Sequence, residues 1–164
     1  LRYFNPVGAH NSGLIGENPK FEPTNLFPVL MNKLSLNESM PIFGNKWPTR
    51  DGTCVRDYIH VVDLAKAHLL AVELLFKKKS LFLNLNIGTG KGVSILEVIS
   101  VFSKVLSYEI PYHFVEKRQG DAPFVVADNN LAIKKLNWQP KKNLEDMCKD
   151  AWNWHLKNNR GFKI

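Results

Sequence analysis

Arg56, Asp57, Tyr58 and His60 crowd ionisable chemistry into one short stretch, Asp51-Gly-Thr-Cys-Val-Arg-Asp-Tyr-Ile-His-Val-Val-Asp-Leu64. An arginine can hold phosphate oxygens through two parallel N–H bonds, so Arg56 is a candidate anion ligand. Arg118 offers the same chemistry within Lys117-Arg-Gln-Gly-Asp121, and each arginine follows a predicted strand and sits near an aspartate. Two guanidinium groups converging on one pocket suit a diphosphate, and Asp121 could accept hydrogen bonds from a ribose diol. Asn5 and Asn25 add neutral donors and acceptors, which makes a nucleotide-diphosphate site the chemistry these residues suggest. Competing readings stand beside it: Arg56 and Asp57 could simply neutralise each other at a strand end, and Asn5 could cap a turn.

The elements that must position these groups alternate between strand and helix, which gives an α/β class. Leu1 to Phe4 reads as a buried strand ended by Asn5-Pro6, because the residue before a proline avoids the helical region. Asn5 is thereby delivered at the C-terminal end of a strand, where open α/β sheets bind ligands. Val7 to Pro23 is a long glycine- and proline-bearing loop of the kind that often carries function. Thr24 is expected to cap a helix whose apolar face is Leu26, Phe27, Leu30, Met31 and Leu34. Met40 to Phe43 and Thr53 to Val62 read as strands, with Asp63 opening the helix that follows. Leu81 to Ile87 and Ile110 to Val115 are further strands, with Tyr112 and Phe114 on one face. Ser94, Asp128 and Asn143 are expected to cap the remaining helices. His68, beside an apolar helical face, reads as a structural histidine.

Several function classes fall away. The net charge of +7 sits in clusters such as Lys77-Lys78-Lys79, Lys134-Lys135 and Lys141-Lys142 without interleaved aromatics, which does not make a nucleic-acid surface. No apolar run approaches the roughly 20 residues of a membrane span. Cys54 and Cys148 match no metal spacing and are expected to be buried thiols in a reducing compartment. Gly88-Thr-Gly-Lys-Gly92 fits neither the dinucleotide fingerprint nor the P-loop and is expected to be a tight turn. A Tyr-x-x-x-Lys pair, in which the lysine would lower the phenol's pKa for proton abstraction, is also missing: four residues after Tyr3, Tyr58, Tyr108 and Tyr112 stand Val7, Val62, Tyr112 and Glu116. The chain opens without Met, inside a predicted strand, and is expected to be a fragment or a processed piece.

Leu1-Arg-Tyr-Phe-Asn-Pro-Val-Gly-Ala-His10, Ile42-Phe-Gly-Asn45, Asp51-Gly-Thr53, Val55-Arg-Asp-Tyr-Ile-His-Val-Val-Asp-Leu-Ala65, Arg118-Gln-Gly-Asp121 and Leu136-Asn-Trp138 together resemble the UDP-galactose 4-epimerase family of extended short-chain dehydrogenases. The motifs keep their order through the whole chain, which corresponds to the C-terminal half of such an enzyme. The resemblance implies the last strands of a Rossmann-type sheet plus a small α/β substrate-binding domain. The NAD-binding portion and the catalytic tyrosine–lysine pair would lie upstream of Leu1, so no catalytic residue is assigned here and the chain alone is expected to be inactive. It further implies NAD as cofactor, a UDP-sugar substrate, a homodimer when complete, and a cytoplasmic location. By resemblance, Tyr3 borders the nicotinamide and Asn5 reaches the substrate diphosphate. Thr24, Asn25 and Leu26 line the substrate pocket, and Pro41, Ile42 and Phe43 lie beside the uracil. Arg56 and Arg118 bind the phosphates, Asp121 the ribose, and Gln119 and Gly120 belong to the same substrate-binding loop. Asp57, Tyr58 and His60 then take supporting roles.

Departures from the family pattern are local. Thr24 stands where a second Asn is common, Cys54 where Gly is found, Arg50 where an acidic residue is usual, and Phe21-Glu22 where Gly-Ile is usual. Val125 replaces a tyrosine of bacterial members or a cysteine of animal members, and its small size implies room for an N-acetyl group. Another nucleotide-sugar short-chain enzyme, a 4,6-dehydratase or a decarboxylase, is the nearest rival. A non-catalytic nucleotide-sugar-binding module is the rival of a different class.

Overall fold

The computed structural model of the chain describes residues 1–78 and 80–158; Lys79, the last of one basic run, lies outside them. The elements in order are β1 (Arg2–Tyr3), β2 (Asn5–Val7), α1 (Leu26–Ser35), β3 (Met40–Phe43), β4 (Val55–Arg56), β5 (Tyr58–His60) and α2 (Val61–Lys77). There follow β6 (Asn86–Ile87), β7 (Val93–Ser94), α3 (Ile95–Leu106), β8 (Tyr112–Val115), β9 (Phe124–Val125), α4 (Asn130–Leu136) and α5 (Leu144–Lys157). β1 pairs with β6, β2 with β5 and β3 with β8, all in parallel, while β4 lies between antiparallel β7 and parallel β9. The expected α/β class therefore holds.

Alternation along β5 divides the interior. Successive strand residues point to opposite faces. Tyr58 joins a core built from Phe27, Leu30, Ile42, Val98, Phe102 and Cys148, and Ile59 joins another built from Leu64, Ala67, Ile87, Leu136 and Trp138. Each fully buried Leu, Ile or Phe contributes about 1.5–3 kcal/mol. The first core packs α1, α3 and α5 around β3, and the second packs α2 and α4 against β6.

Several predicted boundaries shift, each for a visible reason. The strand expected over Thr53 to Val62 breaks at Asp57 into β4 and β5, because the Asp57 carboxylate is fully buried and turned to a neighbouring loop. α2 starts at Val61, capped by His60, whose Nδ1 accepts from the Val62 N–H at 3.1 Å. Asp63, expected at that start, faces inward; its Oδ2 accepts from the backbone N–H groups of Lys141 and Lys142, each at 2.8 Å. Asn25 rather than Thr24 is the N-cap of α1, and its side chain makes no capping bond. Asn129 rather than Asp128 is the N-cap of α4, although Asp128 Oδ1 accepts from the Asn130 N–H at 3.2 Å. The strand expected from Leu81 shrinks to Asn86–Ile87, and the one expected from Ile110 begins at Tyr112. β1, expected to be buried, is exposed at both of its residues.

Capping by Ser94 and Asn143 falls where the sequence reading puts it. Each forms a reciprocal capping box, Ser94 with Glu97 and Asn143 with Asp146. Cys54 and Cys148 are both buried free thiols. No helix of the described residues is long and apolar enough to cross a membrane.

Candidate functional site

β2, β3, β4 and the start of α1 converge on a cavity of about 320 Å³. Asn5 enters it from β2, whose pairing with β5 sets Asn5 opposite Tyr58. Thr24, Asn25 and Leu26 line it from the entrance to α1, and Pro41, Ile42 and Phe43 from β3. Arg56, Arg118 and Asp121 complete its polar wall. The residues Phe4, Pro6, Val7, Val29, Met40, Cys54, Tyr58 and Ile95 also line it and were not expected there. For Met40 an available signal was its position at the start of the same strand as Pro41, Ile42 and Phe43.

Arg56 is held from several sides. Its Nη1 donates to the Val55 carbonyl at 2.9 Å and to the Ala122 carbonyl at 2.7 Å, and its Nη2 lies 3.5 Å from Asp121 Oδ1. The neutralising partner is thus Asp121, not the adjacent Asp57. Asp57 has a different task. Its Oδ1 accepts from the N–H and Oγ1 of Thr89 at 2.7 and 2.6 Å, and its Oδ2 accepts from Gly90 N–H at 2.9 Å and Ala127 N–H at 3.2 Å. One carboxylate thereby ties the break between β4 and β5 to the Gly88–Gly92 loop and to the end of β9. The turn reading of that loop follows from the geometry: a Cβ on Gly88 would lie 2.6 Å from Asp57 Oδ2 and 2.7 Å from the Ala127 Cβ.

Arg118 reaches across the mouth. Its guanidinium carbon sits 3.7 Å from the centroid of the Phe43 ring, and its Nη1 donates to the Thr24 carbonyl at 3.5 Å. The cation–π contact lets an exposed arginine hold a defined place beside an apolar strand. Tyr58 is buried at the cavity wall, and burial pushes its phenol pKa up, which keeps it protonated. Burial likewise pushes the Cys54 thiol up, with the opposing pull of Arg56 smaller. Arg50, a departure from the expected acidic residue, pairs with Glu97 at the first turn of α3 and donates to the Gly92 carbonyl at 3.0 Å.

Tyr3, Gln119, Gly120 and Val125 do not line the cavity. Tyr3 is exposed on β1, its hydroxyl 3.4 Å from His68 Nε2. Gln119 and Gly120 form the exposed turn between Arg118 and Asp121, with Gly120 at φ +86°. Val125 pairs in register with Arg56 across β9 and β4. A second cavity of about 110 Å³ lies between the loop containing Glu17 and helices α1 and α5. It presents no arginine or lysine. Among the described residues, no group of His, Cys, Asp and Glu could hold a metal ion.

The chain matches the family model described as GDP-mannose 4,6 dehydratase over residues 1–151 and belongs to that family. Within it, the chain is similar to UDP-glucose 4-epimerases. It is 48% identical to the one from Dictyostelium discoideum over 163 residues, which is 99% of this chain and 47% of that protein. It superposes on the Bifidobacterium longum enzyme in complex with NAD+ and UDP at TM-score 0.91 and 44% identity, covering 98% of this chain and 48% of that one. The Stenotrophomonas maltophila enzyme, with NAD and formylated UDP-arabinopyranose bound, matches at TM-score 0.91 and 44% identity, covering 97% and 47%. The chain thus spans about half the length of the relatives it matches.

Proposed function

We propose that the whole protein is an NAD-dependent UDP-hexose 4-epimerase interconverting UDP-glucose and UDP-galactose, and that this chain is the C-terminal portion that holds the UDP-sugar. The carrying observation is that Arg56 from β4 and Arg118 from the loop between β8 and β9 open onto one cavity together with Asn5 and Asp121. Similarity to epimerases solved with UDP and with a UDP-sugar supports the same reading.

In this reading Arg56 and Arg118 neutralise the diphosphate, with Asn5 as an added ligand. Asp121 accepts from the ribose while steadying Arg56, and Pro41, Ile42 and Phe43 supply the apolar wall beside the uracil. Thr24, Asn25 and Leu26 line the sugar end, and Gln119 and Gly120 form the turn that sets Arg118 and Asp121. Because the hexose must turn over between half-reactions, affinity has to come from the nucleotide, which is what these residues grip. When bound, NAD would accept and return the hydride at the sugar's C4. Of this chain only Tyr3 would border it, at the exposed edge of β1, which fits one wall of a cofactor site and no more. No residue here is assigned the proton transfer.

The complete enzyme is proposed to be a cytoplasmic homodimer, a location supported by its two free buried thiols. Val125, small and beside Arg56 in the sheet, is proposed to admit UDP-N-acetylhexosamines; turnover of UDP-galactose with none of UDP-N-acetylgalactosamine would refute that extension.

The deciding experiment incubates the complete protein with UDP-galactose. UDP-glucose is the expected product. A 4-keto-6-deoxy sugar would favour the dehydratase rival that the family's description names, and tight UDP binding without turnover would favour a binding module.

A further inference from the structure

Two aromatic rings stand at the C-terminal end of β3, and each carries a basic side chain from one loop. The segment Ile42-Phe-Gly-Asn-Lys-Trp47 turns sharply at Gly44, whose φ of +81° glycine adopts without strain. The turn brings the Trp47 indole back onto the strand, where its Nε1–H donates to the Phe43 carbonyl at 3.0 Å. An indole nitrogen is a donor only, and this carbonyl satisfies it. The fit is close: a Cβ on Gly44 would lie 2.5 Å from Trp47 Nε1 and 3.2 Å from Lys117 Cβ. The Trp47 backbone N–H donates to the Gly52 carbonyl at 3.0 Å, so the ring is fixed through backbone and side chain alike.

The neighbouring strand supplies the cations. β8 sets Val115 opposite Phe43, and the Gly44 N–H donates to the Val115 carbonyl at 2.9 Å. Two residues on, Lys117 Nζ stands 5.7 Å from the centroid of the Trp47 ring, while the Arg118 guanidinium stands 3.7 Å from that of Phe43. Both lie within the roughly 6 Å over which a ring face attracts a cation. Adjacent basic residues are thus seated on two rings that a hydrogen bond joins to each other. Lys117 and Arg118 are exposed, and a long exposed side chain without such contacts samples many rotamers. One already confined to a single place loses less freedom when it meets a ligand. Arg118 lines the large cavity, whereas Trp47 and Lys117 do not, so their influence on the cavity passes through Arg118.

We propose that Trp47 and Lys117 are positioning residues that fix the loop after β8, so that Arg118 meets the diphosphate already in place. The inference rests on the proposed reading of the cavity as a UDP-sugar site. It gives a task to two residues that stand outside that cavity, and it makes their effect specific to phosphate rather than to uracil.

The test measures UDP binding by calorimetry and uridine binding by NMR titration in the complete protein. Trp47→Leu and Lys117→Met are each expected to weaken UDP binding about fivefold and to leave uridine binding within about twofold of wild type. Lys46→Met, which removes an equal charge from the neighbouring turn, is expected to leave both within about twofold. In an Arg118→Ala background neither Trp47→Leu nor Lys117→Met should weaken UDP binding further. Lys117→Met alters only an exposed side chain and decides the matter if Trp47→Leu does not fold. Equal losses for UDP and uridine, the same loss with and without Arg118, or a Lys46→Met effect as large as that of Lys117→Met would each overturn the inference alone. A wild-type protein that binds no UDP would refute the ligand reading and this inference together.

Discussion

Arg56 shows how one side chain can be both tethered and available. Its guanidinium satisfies two backbone carbonyls and faces Asp121, which fixes its direction at the cavity wall. On the proposed reading, removing it in the complete enzyme takes away charge-assisted hydrogen bonds to the diphosphate. Arg56→Ala is expected to weaken UDP binding by about 2 kcal/mol, roughly thirtyfold; unchanged affinity by calorimetry would count against the assignment. Asp57 is a structural counterpart. Asp57→Asn would aim an amide N–H₂ at backbone donors that now share a buried carboxylate. A loss of about 3 kcal/mol of stability is expected, seen as a lowered urea midpoint.

At the scale of elements, the ends of helices show where local rules suffice. Ser94 and Asn143 could be read as caps because a capping box is written within four residues. Ser94 also donates to Asp51, whose carboxyl, despite burial, is held below its ordinary range by bonds from Ser94 and Thr53. Ser94→Ala is therefore expected to cost at least the ~1 kcal/mol typical of a lost cap, measurable by thermal denaturation. A wild-type melting curve would remove the Asp51 contact from the account. Thr24, Asp63 and Asp128 are equally good capping types, yet the structure places Asn25, His60 and Asn129 at those N-caps. For Asp63 the reason is tertiary: its carboxylate serves the Lys141–Lys142 backbone from a distant segment. The β2–α1 loop carries a similar constraint at Gly8, where φ is +80° and a Cβ would lie 3.0 Å from the His60 ring.

For the whole molecule, His60 couples the two cores. Its ring is fully buried between β2 and α5, 3.1 Å from Asp150 Oδ2, and Asp150 also accepts from Lys142 Nζ at 3.0 Å. Burial holds the imidazole's pKa below its ordinary 6.5, with Asp150 opposing and the net direction downward. The unfolded chain therefore binds more protons just below that value, and stability falls as pH drops through about 6.5. His155, also lowered by burial, adds in the same direction. The urea midpoint is expected to be lower at pH 5.5 than at pH 7.5, with a smaller difference in His60→Gln; a pH-independent midpoint would contradict this. Taken alone, without the portion its relatives carry, the chain is expected to show no epimerase activity, and turnover of UDP-galactose by it would refute the division of labour.

The α/β class, the glycine turn and five of the residues that meet in the cavity were legible from the residues themselves: Asn5, Asn25, Arg56, Arg118 and Asp121. Thr24, Leu26, Pro41, Ile42 and Phe43 were expected only through the family resemblance, and Asn5-Pro6, expected to end a strand, instead opens β2. Missing chemistry was legible too, since a Tyr-x-x-x-Lys pair is a matter of spacing. Which aspartate meets which arginine was not, because Arg56 and Asp121 are joined only when β9 lies beside β4. Nor could the sequence say which apolar residues of α2 are buried: Leu64 and Ala67 are, Leu69 and Phe76 are not, and periodicity reports only that a face is apolar. Spacing along the chain thus determined the kinds of chemistry available. Pairing between distant strands decided the partners, because burial and register are properties of contacts that no local window contains.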